Sequence, residues 1–174
     1  LRRQRQMCIR DRFNHDEAGQ ISQILTPLGY RTELAYDEAG RLVERTDPDG
    51  ACRSYDYDDA GRLEASTAPD GGCTRYAWGP DGQITTVTDP TGATTTLSYD
   101  EVGDLAGIGL PDGASWGFLR DAMARLCAVK DPDGAHWHAS YNIIGELTSL
   151  TDPTGVSLHA TTTAHQAQVT NAAG

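Results

Sequence analysis

The sequence predicts an all-β fold in which 21-residue β-hairpin repeats follow one another as a long antiparallel meander. Three observations support this prediction. Prolines recur every 21 residues, two separate series of glycines keep the same step, and the segments between these turn residues alternate apolar with polar side chains. Turn residues at a fixed period, separated by short strand-like segments, are typical of β-repeat architectures.

The proline series marks the turns at one end of the predicted strands. We call this side of the sheet the proline edge. In Asp47-Pro48-Asp49-Gly50 an aspartate, a proline and a glycine occupy the first, second and fourth positions, which is the signature of a type I β-turn. Four copies begin with aspartate: Asp47, Asp89, Asp131 and Asp152. The predicted turn residues are Pro27 and Gly29, Pro48 and Gly50, Pro69 and Gly71, Pro90 and Gly92, Pro111 and Gly113, Pro132 and Gly134, and Pro153 and Gly155.

A second glycine series marks the opposite edge. It follows an Asp-x-x-Gly pattern, as in Asp37-Glu38-Ala39-Gly40, and glycine there can take the left-handed conformation of a bulged hairpin loop. The series comprises Gly19, Gly40, Gly61, Gly82, Gly103 and Gly145, with Ala124 as its one exception. Because the two series interleave at steps of 11 and 10 residues, we expect strands from segments of six or seven residues. Such a strand spans about 20 Å.

Alternation along the segments predicts two unlike faces. Tyr55 and Tyr57 fall on one face, and Ser54 and Asp56 fall on the other. The apolar face is expected to carry a repeat ladder formed by Tyr36, Tyr57, Trp78, Tyr99 and Tyr141, and by the apolar residues that open the second strands, Leu42, Leu63, Ile84, Leu105, Leu126 and Leu147.

The first residues and the net charge set further bounds. Gln6–Arg12 looks like a translated transposase adapter, so we interpret residues 1–12 as a sequencing-adapter or cloning scar; the alternative is a basic N-terminal arm. The rest of the chain has 9 basic and 24 acidic residues, a net charge of 9 − 24 = −15. This charge disfavours binding to nucleic acid, and without a run of 18 apolar residues we expect no membrane insertion.

The motif Tyr-Asp-x-x-Gly-Arg-Leu, followed by Thr-Asp-Pro-x-Gly, resembles the YD-repeat or RHS (rearrangement hotspot) repeat family. Tyr36–Leu42 and Tyr57–Leu63 are full copies, whereas Asp104 departs from the pattern. His15, Trp78 and Arg120 replace the tyrosine in their repeats. The resemblance covers residues 13–161 as seven repeats, and we interpret residues 162–174 as a degraded repeat or frayed tail.

The resemblance implies an open segment of an RHS-type spiral shell and an internal fragment of a larger protein. The implied function is a structural module of the β-shell that encapsulates a C-terminal toxin in a bacterial RHS-type polymorphic toxin, exported to the cell surface or secreted. Its partners would be the remaining RHS repeats and the C-terminal toxin of the same polypeptide. The alternative is an adhesion or carbohydrate-binding module, because aromatic side chains such as Tyr55, Tyr76 and Trp78 can stack on sugar rings.

Residues that could carry chemistry have simpler interpretations. His136, His138 and His159 are candidate metal ligands, but equivalent positions of successive repeats are expected about 9.6 Å apart. By the same argument Cys52 and Cys73 are too far apart for a disulfide, and we predict free thiols there and at Cys127. The Asp-rich turns lack the remaining ligands of a calcium loop.

No catalytic residue or cofactor is expected. The aspartates recur in nearly every repeat, as turn residues do and as members of a single active site do not. The sequence therefore predicts a scaffold rather than an enzyme.

Overall fold

The computed structural model describes residues 11–163 and 166–171, and the described part is all β-sheet. It contains no helix that meets the length and hydropathy of a membrane span. Sixteen strands follow one another: β1 (Arg12–His15), β2 (Ile21–Leu25), β3 (Arg31–Tyr36), β4 (Leu42–Thr46), β5 (Cys52–Tyr57), β6 (Leu63–Thr67), β7 (Cys73–Trp78), β8 (Ile84–Thr88), β9 (Thr94–Tyr99), β10 (Leu105–Gly109), β11 (Ser115–Arg120), β12 (Leu126–Lys130), β13 (His136–Tyr141), β14 (Leu147–Thr151), β15 (Ser157–Thr163) and β16 (Gln166–Asn171).

The strands fall into two compact units. The first comprises the described residues up to Ala77 together with Val87–Ala93, and the second comprises Trp78–Thr86 together with the described residues from Thr94 onward. Within each unit the strand order is the chain order, and consecutive strands pair antiparallel. The all-β antiparallel meander predicted from the 21-residue period is therefore confirmed.

Both edges are closed by the same kind of turn. At the proline edge the amide of Gly50 donates to the carbonyl of Asp47 at 2.9 Å, and at the other edge Gly40 donates to Asp37 at 2.9 Å. Gly50 and Gly40 have φ of 84° and 81°, a left-handed conformation that costs glycine little. Because each turn takes about five residues, β2 to β14 are five or six residues long, slightly shorter than the six or seven expected.

A β-bulge accompanies each described Asp-x-x-Gly turn for which the pairing register is known. In β3 and β4, Ala35 pairs with Glu44 whereas the next residue, Tyr36, pairs with Leu42, so Val43 is the extra residue. The same shift recurs between Asp56 and Tyr57 and in the second unit between Ser140 and Tyr141. A bulge bends a strand and re-aims the side chain beside it, and here that side chain is the tyrosine of the repeat.

The two faces of the sheet differ in burial. Along β3, Leu34 and Tyr36 are half-buried while Glu33 and Ala35 are exposed. We call the first side the aromatic face and the second the polar face, and the register assigns each residue, since directly paired residues project to the same side. The aromatic face includes Tyr55, paired with Ser66 in the first unit, and Phe118, paired with Val129 in the second.

The described residues contain almost no buried core. Only Ala65 and Ala128 are buried among the apolar residues, at 3% and 6% exposure, and no large side chain is fully buried. Neither face of the sheet is packed beneath a second layer within the described residues of each unit. Stability must therefore come chiefly from contacts along the sheet, between one repeat and the next.

Successive repeats are staggered, which corrects one assumption made from the sequence. Cys52 pairs with Thr46, but Cys73 pairs with Thr67, which in turn pairs with Ser54. Equivalent residues such as Cys52 and Cys73 are therefore offset by two residues along the strands as well as by two strands. Their separation exceeds the about 9.6 Å expected from strand spacing alone.

Strand pairing continues past the last residue assigned to the repeats. β15 runs to Thr163 and pairs with β16 over six residue pairs, from Leu158 with Asn171 to Thr163 with Gln166. Residues 1–10, most of the segment interpreted as a scar, lie outside the described residues.

Candidate functional site

The residues that recur from repeat to repeat contact the neighbouring repeat at one place. A tyrosine near the end of a first strand contacts the start of the second strand in the preceding repeat. We term this a repeat junction, and it has three positions: the residue in the arginine position of one repeat, the apolar residue after it, and the residue in the tyrosine position of the next repeat. Arg41, Leu42 and Tyr57 form one such junction.

The tyrosine hydroxyl joins each such repeat to the preceding one by a hydrogen bond. Tyr57 donates to the carbonyl oxygen of Leu42 at 2.8 Å, across an offset of 15 residues. The same bond recurs from Tyr36 to Ile21 at 3.0 Å, from Tyr99 to Ile84 at 2.8 Å and from Tyr141 to Leu126 at 2.8 Å. The ladder predicted from apolar patterning is thus also a ladder of hydrogen bonds between side chain and main chain.

Sequence reasoning missed this role of the hydroxyl, although the chain carries a signal for it. The tyrosine position holds tyrosine, tryptophan, arginine or histidine, all of which have a hydrogen-bond donor near the tip. The position two residues earlier accepts leucine, tyrosine, phenylalanine or alanine, and so has no such requirement. The restriction to donors distinguishes a bonding position from a packing position.

The aspartate after the tyrosine holds the turn closed. One carboxylate oxygen of Asp37 accepts from the amides of Ala39 and Arg41 at 3.0 and 2.9 Å, and the other accepts from the Arg41 guanidinium at 2.8 Å. Asp58 with Arg62 and Asp121 with Arg125 repeat this arrangement.

These hydrogen bonds stabilise the ionised carboxylates. The pKa of Asp37 is lowered, first by the amide of Arg41 and then by its guanidinium. The pKa of Asp58 is lowered in the same way by Arg62. At the proline edge the hydroxyl of Thr91 is the largest cause that lowers the pKa of Asp89. The turn aspartates therefore act as hydrogen-bond acceptors, and the bonds that they accept favour the ionised carboxylate.

Two kinds of contact join the arginine position to the next repeat at Gln20, Arg41, Gln83 and Arg125. In the first, the guanidinium lies over the next tyrosine ring: Arg41 is 4.8 Å from the Tyr57 ring centre, and Arg125 is 4.8 Å from that of Tyr141. Arginine at this distance makes a favourable cation–π contact. Arg125 also donates to the carbonyl of Asn142 at 2.9 Å.

In the second kind of contact a glutamine replaces the arginine and donates to the next turn. Gln20 donates to the carbonyl of Gly40 at 2.9 Å, and Gln83 donates to that of Gly103 at 2.6 Å. The turn glycine is thus a point of contact as well as a place of unusual backbone conformation. A Cβ added at Gly40 would lie 2.9 Å from the Gln20 amide nitrogen.

The histidines do not assemble a metal site. His136 and His138 stack on the polar face with ring centres 6.1 Å apart. Because of the stagger, His138 pairs with Thr151 whereas His159 pairs with Ser149. Over the described residues, no group of three or more His, Cys, Asp or Glu side chains could hold a metal ion. Cys52, Cys73 and Cys127 are free thiols in the structure.

The model of the family described as "Teneurin YD-shell" matches residues 12–155. That span contains every repeat junction described above. Among curated proteins, no sequence matches this chain.

Solved structures share the fold. The structure titled "Crystal Structure of TcdB2-TccC3-Cdc42" superposes with a TM-score of 0.73 at 16% identity, covering 92% of this chain and 11% of that one. That of the Photorhabdus luminescens Tc holotoxin pore with the TccC3-D651A mutation gives 0.72 at 15% identity, covering 92% and 10%. "Crystal Structure of TcdB2-TccC3-TEV" gives 0.74 at 16%, covering 94% and 11%. This chain thus spans about a tenth of the length of the chains it matches.

Proposed function

The chain belongs to the Teneurin YD-shell family, and from this premise we propose that it forms part of the wall of a β-shell that encloses the C-terminal toxin of the same polypeptide. Its coarser role, a shell-forming repeat module, follows from the family and from the fold shared with the Tc toxin structures. The enclosed toxin and the export of the protein, at the cell surface or secreted, are the further steps of the proposal.

The repeat junction is the observation that carries the proposal. A hydrogen bond such as that from Tyr57 to Leu42 joins neighbours 15 residues apart, and the next junction repeats it. Each such repeat therefore supplies a side-chain donor that bonds to the repeat before it and a main-chain carbonyl that accepts from the repeat after it. A sheet built in this way extends by adding repeats, with nearest-neighbour contacts supplying stability.

The absence of a packed core in the described units agrees with a wall. Only Ala65 and Ala128 are buried apolar residues there, so both faces of the sheet remain open to further contacts. A compact domain of this length would bury many large apolar side chains. A wall instead presents one face to the outside and one face to whatever it encloses.

The chemistry of the junction also supports a scaffold. Its hydrogen-bonding groups are used against each other: the tyrosine hydroxyl against a carbonyl, the aspartate against the turn, and the guanidinium against the aspartate and the next ring. Groups that are already paired in this way are not free to act on a substrate. We propose accordingly that the segment is not an enzyme and needs no cofactor.

The test begins with the parent gene. Long-read sequencing across both ends of this segment is expected to show the 21-residue period continuing and leading into a C-terminal domain of different composition. The encoded protein would then be purified and treated with protease, with and without mild urea. The C-terminal domain should resist cleavage until the shell unfolds.

Two results would contradict the proposal. If the repeats stop at both ends without a further domain, there is nothing to enclose. If the C-terminal domain is cleaved as fast in the intact protein as when expressed alone, it lies outside the wall. In either case a glycan-array screen of the repeats would then test the adhesion or carbohydrate-binding alternative.

A further inference from the structure

The aromatic face of the second unit has two gaps in its ladder, at Ala139 and Ala160. Two residues before the tyrosine position, the face carries the bulky side chains of Leu97 in β9 and Phe118 in β11, but this place holds Ala139 in β13 and Ala160 in β15. Phe118 is half-buried against its partner Val129, whereas Ala139 leaves its partner Leu150 without a side chain of that size beside it. The β13 repeat therefore lacks the bulky side chain that the two preceding repeats supply from their own strands.

A cleft lies at this place. Its walls include Val129, Trp137, Ala139, Tyr141, Leu147 and Leu150. Trp137 and Tyr141 stand two residues before and after Ala139 on the same strand, so their rings flank the gap along β13. Leu150 lies directly opposite Ala139 on β14.

The rim of the cleft is apolar and open. Trp137 is 41% exposed and Leu147 is 39% exposed. Trp116 and Leu158 occupy the positions equivalent to Trp137 in the neighbouring repeats and are 37% and 40% exposed. Exposed apolar side chains that stand together on one face mark an interaction surface more often than isolated ones do.

The residues that line the cleft favour an uncharged ligand. No Asp, Glu, Asn, Gln, Lys or Arg lines the cleft, although the chain as a whole has a net charge of −11. His138 touches the cleft, but it pairs with Ala128 and Thr151 and so projects to the polar face. A charged group placed here would lose its hydration without gaining a partner.

A sugar ring would face the same difficulty. Its hydroxyl groups need several hydrogen-bonding side chains once they are removed from water. The one hydroxyl in the lining, that of Tyr141, already donates to the carbonyl of Leu126 at 2.8 Å. The cleft therefore suits an apolar side chain better than a glycan.

We propose that the Ala139 cleft seats a single leucine or phenylalanine side chain of an uncharged polypeptide segment supplied by a partner. The two preceding repeats define this ligand, because they fill the equivalent place with Leu97 and Phe118 from their own strands. In this repeat the same place is filled from outside, between the rings of Trp137 and Tyr141. The proposal concerns this cleft alone and does not depend on the enclosure of a toxin.

The test uses the full 174-residue chain labelled with ¹⁵N. The indole signal of Trp137, assigned by its loss in W137F, is followed during titration with N-acetyl-phenylalaninamide and N-acetyl-leucinamide. Both are expected to give a saturable shift with a millimolar Kd. N-acetyl-aspartamide and cellobiose are expected to leave the signal in place.

The variant A139F fills the gap as Phe118 does in the preceding repeat. It should weaken binding of both apolar amides at least about tenfold, while its melting temperature, followed by circular dichroism, stays the same or rises. The matched control A35F adds the same side chain to an exposed position on the polar face and should leave binding unchanged. If A139F does not fold, A139L provides the smaller filling.

Several outcomes would overturn the proposal. One is a folded A139F or A139L variant that binds the amides as the unaltered chain does. Another is the lack of any saturable shift with the phenylalanine and leucine amides. A shift with cellobiose but not with these amides would make the cleft a glycan site instead.

Discussion

Asp104 and Arg120 form an ion pair at a repeat junction, with 3.3 Å between the guanidinium Nε and the carboxylate Oδ2. The equivalent residues of an ordinary junction are Arg41 and Tyr57, in which the cation lies over the ring. The positive group has therefore moved from the first position to the second. Arg120 also donates to the carbonyl of Leu105 at 3.1 Å, the bond that a tyrosine hydroxyl makes elsewhere. The two departures from the repeat pattern compensate each other.

We predict that these two positions are energetically coupled. D104R alone places a second guanidinium beside Arg120 and should lower the free energy of unfolding by about 1 kcal/mol. R120Y alone removes the ion pair and leaves Asp104 beside a ring. This change should also lower the free energy of unfolding. The double variant D104R/R120Y restores the ordinary pairing of arginine and tyrosine, so most of the loss should be recovered. Urea unfolding of the four proteins gives the coupling energy.

A distant pair provides the control for this cycle. D104R combined with Y36F joins changes in different units, and their effects should add within about 0.5 kcal/mol. If D104R/R120Y is destabilised by the sum of its single variants, the exchange is not compensating. The ion pair would then be an incidental surface contact, since such pairs often contribute little.

The strands and turns could be predicted because their causes are local. An Asp-Pro-x-Gly turn is specified by four adjacent residues, as at Asp47–Gly50, and alternation along one strand specifies its two faces. Repetition of these local signals at a fixed period made the meander the simplest arrangement. None of these signals depends on which residues pair across strands.

The junctions could not be predicted because they depend on pairing register. The bulge beside Tyr57 sets the ring against Leu42 of the preceding repeat, and the sequence does not show which residue is the extra one. The same shifts produce the stagger that separates Cys52 from Cys73 by more than strand spacing. A pairwise exchange such as Asp104 with Arg120 becomes meaningful only once the two positions are known to touch.

The tyrosine hydroxyl should contribute to stability apart from its ring. Y57F removes the donor to the Leu42 carbonyl but keeps the ring beneath Arg41, and should cost about 1 kcal/mol. Y55F is the matched control, because Tyr55 lies two residues earlier on the same face and its hydroxyl makes no hydrogen bond to another described residue. Chemical denaturation compares the two. Equal losses in Y57F and Y55F would contradict a role for the hydrogen bond.

Stability should fall in acid because the turn carboxylates must stay ionised. The pKa of Asp58 is lowered in the folded chain, first by the amide and then by the guanidinium of Arg62. A carboxyl with a lowered pKa stabilises the fold fully above its unfolded value, about 3.9, and loses that contribution as the pH falls through the folded value. Asp37, Asp89, Asp121 and Asp152 have pKa values lowered in the same direction. The urea concentration at the midpoint of unfolding should therefore decrease as the pH is lowered below about 4.

The variant D58N tests the source of this acid sensitivity. It removes one titrating turn carboxylate, so the decline in stability below about pH 4 should become shallower. D56N removes an exposed carboxylate of the adjacent strand on the polar face and serves as the charge-matched control. Midpoints measured from pH 2 to pH 7 decide the matter. Equal flattening in D58N and D56N would assign the effect to net charge rather than to the turn.

Ala124 is the one residue other than glycine with a positive φ among the described residues, and it is a site for stabilisation. It stands where other repeats place glycine, at φ 59°, and its amide still closes the turn to Asp121 at 2.9 Å. A Cβ in this conformation crowds the backbone, so A124G should raise the free energy of unfolding by about 1 kcal/mol.

The reverse change, G145A, is the matched control: a Cβ there meets no atom within 4 Å, so only the φ of 90° opposes it. We expect opposite shifts of similar size in thermal or urea unfolding. If A124G destabilises the chain, the greater entropy of glycine in the unfolded state outweighs the relief of backbone strain at this position, and the prediction is wrong.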